Sequence, residues 1–469
     1  MPVTRLSALD ASFLAVETPT AHMHVGWVAV LEPGADRPTP LFAELRDYIA
    51  SRLPRAPRFR QVLRSTPLGL GAPVWVDDGR FDIVRHVVRG RSRRLGDVIA
   101  RFMSKPLPRD RPLWQICIAD MLEDGRIGVI GKAHHCMVDG IAAVELATLI
   151  VDPEVDPASP EPDGWVPQPP PGGADLAIRA LGDLARRPLD LAAIPTSLAR
   201  SPGRLVDAAE RGRRAGLALL DAARPARSSS LNPPISPLRH LGLRGRPIAD
   251  LIEIKDGFGV TLNDVVLAVC AGAVRELLRG RGERPIRLKS MVPVNLRGSD
   301  EPGELGNRIS FMFIDLPCDE PDPVRRLAEI HMATRERKRA GEPEGADDVM
   351  RSLSLVPSPI RRLVSRMIAS PRAFNLTVSN IPGPREPLYM AGCPLIEAYP
   401  VVPIADRHAL SIGVTTVGDG AFFGLYADPE TLPEVDGLAE QIGRSIDELL
   451  ELAAQSRSRT PLERLITSS

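Results

Sequence analysis

The first ~150 residues interleave two apolar rhythms. His24-Val25-Gly26-Trp27-Val28-Ala29-Val30 alternates and is rich in β-branched residues, which predicts a strand. Leu41, Phe42, Leu45, Ile49 and Leu53 recur at helical spacing, which predicts a helix over Leu41 to Leu53. Val74 to Val76 and Phe81 to Val88 read as short strands. Leu113 to Met121 and Ile127 to Ala133 read as two more, with Glu123-Asp124-Gly125 as the turn between them. After Asp139-Gly140, Ile141 to Val151 reads as a short buried helix.

The pattern then breaks. Asp152 to Gly173 is crowded with proline, which excludes a helix interior and predicts an extended linker. Asp175 to Ser230 is rich in Ala, Leu and Arg and reads as short helices cut by prolines at 188, 195, 202 and 225. The second half opens near Leu231. A strong helix is predicted over Thr261 to Leu278, and further helices over Pro323 to Lys338 and Pro433 to Leu452. Arg287 to Val294, Arg308 to Leu316, Ala373 to Ile381, Ala409 to Val417 and Ala421 to Ala427 read as strands. The expected organisation is an α/β region over 1–151, a linker over 152–230 and a second α/β region over 231–469.

Composition narrows the class. Lys+Arg and Asp+Glu are each 59, so the balance is not that of a generally basic nucleic-acid binder. Cys117, Cys136, Cys270, Cys318 and Cys393 are scattered without a CxxC pair, so a disulfide framework is not expected and a reducing compartment fits. No signal peptide is evident at the start. The longest uncharged apolar stretch near the middle, Val265 to Val274, is about half of the ~20 residues a spanning helix needs, so the chain is not expected to cross a membrane.

The sharpest chemical feature is His134-His135-Cys136-Met137-Val138-Asp139-Gly140, which follows the strand Ile127 to Ala133. Neighbours on a strand point to opposite faces, so the two histidines do not share one task. A neutral imidazole can take a proton from a hydroxyl while that oxygen attacks an activated carbonyl, a contribution of about 10²–10⁴ in rate. Gly140 leaves room for backbone or substrate. A structural histidine pair and an Asp139 that caps the next helix are the competing readings. A metal site would need further ligands, and His22, His24, His86, His240, His331 and His408 form no motif.

This heptapeptide matches the HHxxxDG signature of the coenzyme A-dependent acyltransferase superfamily, which includes chloramphenicol acetyltransferase-like enzymes and peptide-synthetase condensation domains. Other segments choose within it. Leu6 to Leu14, Pro112-Leu113-Trp114, Gly259 to Val265, Val292 to Arg297, Leu305 to Arg308 and Val378 to Pro384 resemble bacterial wax ester synthase/diacylglycerol acyltransferases, in the family's order and over residues ~5 to ~450. The resemblance implies two chloramphenicol acetyltransferase-like α/β domains with an active-site channel between them. It makes His135 the general base and leaves His134 to shape the site from the strand's other face. It implies that Asp139 anchors the loop by pairing with an arginine, for which Arg297 is the matching candidate. Asn263-Asp264 would lie in or near the active site, with helix capping as the plain alternative. Ser379-Asn380 would donate to an oxyanion, or else form an ordinary strand-end turn. Trp114 would pack along the acyl channel.

The implied reaction moves a long-chain acyl group from acyl-CoA to diacylglycerol, giving triacylglycerol and CoA, with wax ester synthesis as a side activity. Transfer to another hydroxyl, such as a fatty alcohol or a secondary metabolite, is the close alternative. A catalytically silent lipid-surface protein is the distant one. Acyl-CoA is a substrate, and neither cofactor nor metal is expected. A thiol nucleophile at Cys136 is the disfavoured route. Lipid acceptors lie in membranes or droplets, so the expected location is cytoplasmic, peripherally bound to the inner membrane face or to lipid droplets. Two segments are candidates for that contact: Asp175 to Ser230, with ten arginines against six acids, and Leu353 to Ile368.

Overall fold

The computed structural model describes residues 4–34, 39–67, 72–137, 150–158, 160–161, 164–178, 182, 210, 212–214, 216, 220–221, 224–295, 309–352 and 358–456. The first half runs β1 (Thr4–Arg5), α1 (Ala8–Val16), β2 (His24–Leu31), α2 (Phe42–Arg52), β3 (Gln61–Arg64), β4 (Val74–Asp77), β5 (Val87–Arg89), α3 (Leu95–Met103), β6 (Trp114–Ala119) and β7 (Ile127–His134). The second runs β8 (His240–Pro247), α4 (Ile248–Phe258), α5 (Leu262–Gly280), β9 (Leu288–Asn295), β10 (Ile309–Leu316), α6 (Pro323–Ala340), α7 (Glu342–Ser352) and α8 (Ser358–Ile368). It ends with β11 (Leu376–Ile381), β12 (Tyr389–Met390), β13 (Cys393–Val401), β14 (Leu410–Val417), β15 (Gly420–Ala427) and α9 (Val435–Ser456).

Each half carries a six-stranded mixed sheet. The orders are β12-β13-β2-β7-β6-β5 and β10-β9-β11-β14-β15-β8, and β1-β4-β3 form a small third sheet. The sheets do not respect the chain boundary at residue 231. β13 comes from the second half, yet it pairs antiparallel with β2 of the first, Tyr399 opposite Val28 and Val401 opposite Gly26. Two prolines, Pro394 and Pro400, and a register shift between Leu395 and Glu397 hide this strand from pattern reading. The crossover merges the cores: Val28, Val30 and Ile130 pack in one cluster with Leu241, Tyr399 and Phe422. Arg239, 2% exposed, ties the halves again, its guanidinium donating to the Thr20 carbonyl and its amide to Ser104 Oγ at 2.9 Å.

α5 is the core helix of the second half. Thr261 Oγ1 accepts from the Asp264 amide, and Asp264 Oδ2 accepts from the Thr261 amide at 3.0 Å, so the first turn is capped reciprocally. Val265 through Val274 are buried. This is the run whose length argued against a spanning helix, and it packs against α6, α9 and the sheet. Among the described residues no single helix is long and apolar enough to cross a membrane.

The expected strand over Phe81 to Val88 is not continuous. Asp82 Oδ1 accepts from the Val84 amide and starts a 3-10 turn over Ile83–Arg85, so β5 begins only at Val87. The expected helix over Ile141 to Val151 lies almost wholly outside the described residues.

The chain that follows the histidine motif is moored by a buried ionic cluster. Asp152 accepts from Tyr48 Oη, from Arg52 Nε at 2.8 Å and from Arg55 at 3.1 Å, while its backbone bridges Tyr389. Burial alone would raise the Asp152 carboxyl, but the bonds from Tyr48, Arg52 and Arg55 hold it below the usual carboxylate range. Arg52 is 3% exposed and leans on the Tyr48 ring. Asp152→Ala strands that guanidinium, so the unfolding free energy should fall by about 3–5 kcal/mol. Urea unfolding measures it, and a loss under about 1 kcal/mol would mean the mooring is dispensable.

Candidate active site

β7 pairs antiparallel with β2 in the register His24 opposite His134 and Val25 opposite Ala133. His134 is the last strand residue. The chain then turns into a 3-10 turn over His135–Met137, and the His135 amide donates to the Met23 carbonyl at 2.9 Å. Met23 holds φ +49, a left-handed conformation that a side-chain-bearing residue adopts at some cost. The local strain sits where β2 begins and where the second histidine is placed.

The two rings have different surroundings, because only His134 is on the strand and His135 opens the turn after it. His134 is 1% exposed. Its Nδ1 accepts from the Cys136 amide at 3.1 Å, so the neutral ring carries its proton on Nε2. That Nε2 has no hydrogen-bond partner and lies 3.7 Å from Glu17 Oε1. Glu17 caps the end of α1 and accepts from Arg109. Burial, and then the Arg109 charge, push the His134 pKa well below 6.5. His135 is half-buried and stacks on Phe13 of α1, with centroids 3.6 Å apart and planes 17° off parallel. Its Nδ1 is buried without a hydrogen-bond partner among the described residues. Burial pushes the His135 pKa down to about 4, so the ring is a neutral proton acceptor at neutral pH.

Sequence reading missed the groups that surround the pair. Phe13 and Glu17 come from α1 and its C-cap, Arg109 from the segment before β6, and nothing in their spacing points to position 134 or 135. His24 had a signal: it opens an alternating strand two residues after His22. It is 2% exposed with neither ring nitrogen bonded, and lies 5.2 Å from the His22 ring. Burial first, then the Lys132 charge, holds it well below 6.5. Among the described residues no group of His, Cys, Asp or Glu is arranged to hold a metal ion. Burial pushes the Cys136 thiol up to about 12 despite Arg109 beside it, so it stays protonated and is a poor nucleophile.

The other expected positions divide. Asp139, Gly140 and Arg297 lie outside the described residues. Asp264 is 1% exposed and fully engaged: besides the Thr261 amide it accepts from His331 Nδ1 at 2.8 Å and Thr334 Oγ1 at 2.6 Å, both on α6. Burial would raise its carboxyl, but these donors hold it below the usual range. This geometry is that of a cap and an inter-helix tie. Asn263 beside it is half-buried. Ser379 and Asn380 are not in a turn after the strand but within β11, paired with Gly413 and Val414 of β14. Ser379 is buried and Asn380 half-buried, on alternate faces. Trp114 is buried, donates from Nε1 to the Phe59 carbonyl at 2.8 Å, and stacks on His86. With Ile49, Leu53, Ala56, Phe59 and Ile116 it lines an apolar hollow.

The two imidazoles at the end of β7 carry the first two positions of the HHxxxDG signature. The family model described as wax ester synthase/diacylglycerol acyltransferase catalytic domain matches residues 6–266, and the WS/DGAT C-terminal domain matches 305–450. The chain belongs to the wax ester synthase/diacylglycerol acyltransferase family. It is 32% identical over 467 residues to the Mycobacterium tuberculosis protein named "Probable diacyglycerol O-acyltransferase tgs1", covering 97% of each chain. The wax ester synthase/diacylglycerol acyltransferase of Marinobacter aquaeolei VT8 superposes with a TM-score of 0.69 at 26% identity, over 96% of this chain and 100% of that one. The TRI3 trichothecene 15-O-acetyltransferase of Fusarium sporotrichioides shares the fold, with a TM-score of 0.60 at 12% identity, over 95% of this chain and 94% of that one.

The imidazoles give the site a defined pH response. His22, His24, His134 and His135 are all held below 6.5, burial being the first cause in each. Below about pH 6.5 the unfolded chain therefore binds more protons than the native one, so this stability is present above that pH and lost as pH falls. The urea midpoint should drop between about pH 6.5 and pH 5.5, and His24→Leu should flatten the slope. On the folded population, kcat/KM should hold its plateau through pH 6.5, because His135 stays neutral down to about 4.

Proposed function

We propose that the enzyme transfers a long-chain acyl group from acyl-CoA to the hydroxyl of diacylglycerol, and to a fatty alcohol as a lesser acceptor. The observation that carries the reading is His135: neutral, half-buried and packed face-on against Phe13. An alcohol is too weak an acid to ionise beforehand, so the proton must leave as the bond forms. Nε2 takes the hydroxyl proton while the oxygen attacks the thioester carbonyl carbon. The tetrahedral intermediate collapses, the carbon–sulfur bond breaks, and the CoA thiolate takes the proton back from the imidazolium. No covalent enzyme intermediate is required, in keeping with the protonated state of Cys136.

The Cys136 amide occupies His134 Nδ1 and leaves the proton on a buried Nε2, so this ring is not a second base, which supports a shaping role. Asp264 is proposed to hold α5 against α6 rather than to move protons.

Purified protein mixed with palmitoyl-CoA and diolein should release free thiol faster than with palmitoyl-CoA alone. Equal release with and without acceptor would leave a hydrolase or a binder. His135→Ala should lower turnover by at least about 10² with the unfolding midpoint retained. Near-normal turnover in that variant would remove His135 from the mechanism. Hexadecanol in place of diolein ranks the acceptors.

A further inference from the structure

We propose that Phe13 is a positioning residue for the reaction: its ring, lying flat on His135, holds the imidazole in its working orientation and keeps water off one face. The proposal rests on the reading of His135 as the base and deepens it.

The backbone of His135 is tied down, and its ring needs a separate constraint. The amide is bound to the Met23 carbonyl at 2.9 Å, but the residue opens a 3-10 turn and has left the ladder. The outer torsion of an imidazole is broad and roughly two-fold, so a second group has to choose the angle. A catalytic base commonly takes that constraint from a third group bonded to it. Here, among the described residues, Nδ1 has no hydrogen-bond partner. What the ring does meet is Phe13, with centroids 3.6 Å apart and planes 17° off parallel. At that separation the imidazole cannot tilt out of its plane without striking the phenyl ring.

Phe13 is itself held. Ser7 caps the first turn of α1, the Phe13 carbonyl accepts from the Glu17 amide at 3.2 Å, and the Ala15 carbonyl accepts from Arg366. α1 packs directly on the turn that carries His135. Both rings are half-buried, and Phe13 packs against the core cluster of the first half rather than inside it, which separates this stack from ordinary core packing.

The residue type fits the task. A phenyl ring has a flat face and no polar atom, so it covers the imidazole without occupying either nitrogen. Its face is electron-rich and attracts cations. The imidazole is neutral at the outset and becomes imidazolium as it takes the hydroxyl proton, so the attraction grows toward the transition state. The titratable groups around the turn are His134 on β7, Asp10 and Glu17 on and after α1, Arg58 and Arg109. None of them moves the His135 pKa; burial lowers it and its own backbone pulls the other way. Uncovering one face therefore returns the ring toward 6.5.

The test compares Phe13→Leu, which keeps an apolar side chain and loses the flat face, with Phe13→Tyr, which keeps the face. Thiol release from palmitoyl-CoA with diolein is followed from about pH 5 to 8.5, with urea midpoints as the check on folding. Phe13→Leu should lower kcat about ten-fold or more while KM for both substrates stays within about three-fold. Its kcat/KM should fall away below about pH 6.5, where the wild type stays level. Phe13→Tyr should match the wild type within about three-fold in both respects. Adding Phe13→Leu to His135→Ala should cost nothing further, because the ring it positions is gone. Carbon-13 histidine NMR of the full chain reads the same contact without turnover. The His135 signal, assigned by its loss in His135→Ala, should titrate between about pH 5 and 7 in Phe13→Leu and stay level there in the wild type. Should Phe13→Leu fail to fold, Phe13→Met carries the same expectations. The proposal is overturned by near-normal kcat with a level acid profile in Phe13→Leu, by a KM rise that accounts for the whole loss, or by Phe13→Tyr being equally impaired. An additive loss in the double variant, or identical His135 titrations, overturns it too. Absence of thiol release in every protein, wild type included, with the NMR difference intact, would count against the acyl-transfer reading and leave the hold of Phe13 on His135 standing.

Discussion

The site depends first on the pairing of β2 with β7. One residue of slip would turn every side chain of β7 to the opposite face, and His134 would leave its pocket. Two glycines guard the register. A Cβ on Gly26 would stand 2.3 Å from the Gly131 carbonyl oxygen, and one on Gly131 would stand 2.5 Å from the Trp27 indole. The strands meet at a distance only glycine allows, and Trp27 covers the bare backbone across from it. With that pair locked, His134 opposes His24. The next residue has no strand partner to continue with, so its amide closes on Met23 and its ring leaves the sheet.

Behind the strand the protein buries cations, and this bears on the imidazoles. Lys132 is fully buried, donating from Nζ to the Phe102 and Lys105 carbonyls at 2.6 Å each, with its pKa pushed down to about 7, chiefly by burial. Arg239 is likewise held by backbone carbonyls. Burial first, and then the charges of Arg239 and Lys132, keep His22 and His24 neutral. Arg109 does the same to His134. Desolvation and like charge act in one direction here, and a neutral imidazole is the form a general base needs.

What pattern reading recovered, and what it missed, follows from the range of the forces involved. β2, β7, α2, α5 and α6 carry local rhythm, caps or both, and their boundaries agree with the sequence reading within a few residues. Thr261 and Asp264 spell a helix start in four letters. β13 has no comparable local signal: its prolines argue against a strand, and its pairing is supplied by a partner some 370 residues away in the chain. The alternation of Ile127 to Ala133 placed the histidine pair at the end of a strand, but the rings part because His134 ends β7 and His135 opens a 3-10 turn. The groups that tune the pair were not legible, because Phe13, Glu17 and Arg109 reach it through the fold. Ser379-Asn380 shows the converse. The strand reading ended correctly at Ile381, yet the alternative of a strand-end turn at Ser379-Asn380 fails because the ladder with β14 runs through them to Ile381.

α1 shows why a site whose histidines sit in one half still needs both. Ser7 caps its first turn. From it, Phe13 reaches His135 and Glu17 faces His134, while its Ala15 carbonyl is claimed by Arg366 of α8. α7 and α8, both from the second half, pack on this same helix. A nine-residue helix is too short to hold its position alone in water, so its position is set by what it packs against. Phe13 can therefore lie flat on the imidazole only while the second half holds α1 in place. The two halves are joined mechanically by β13, Arg239 and this helix. Geometry at His135 is thus a property of the whole chain, which is why the chemistry cannot be assigned to the domain that happens to carry the motif.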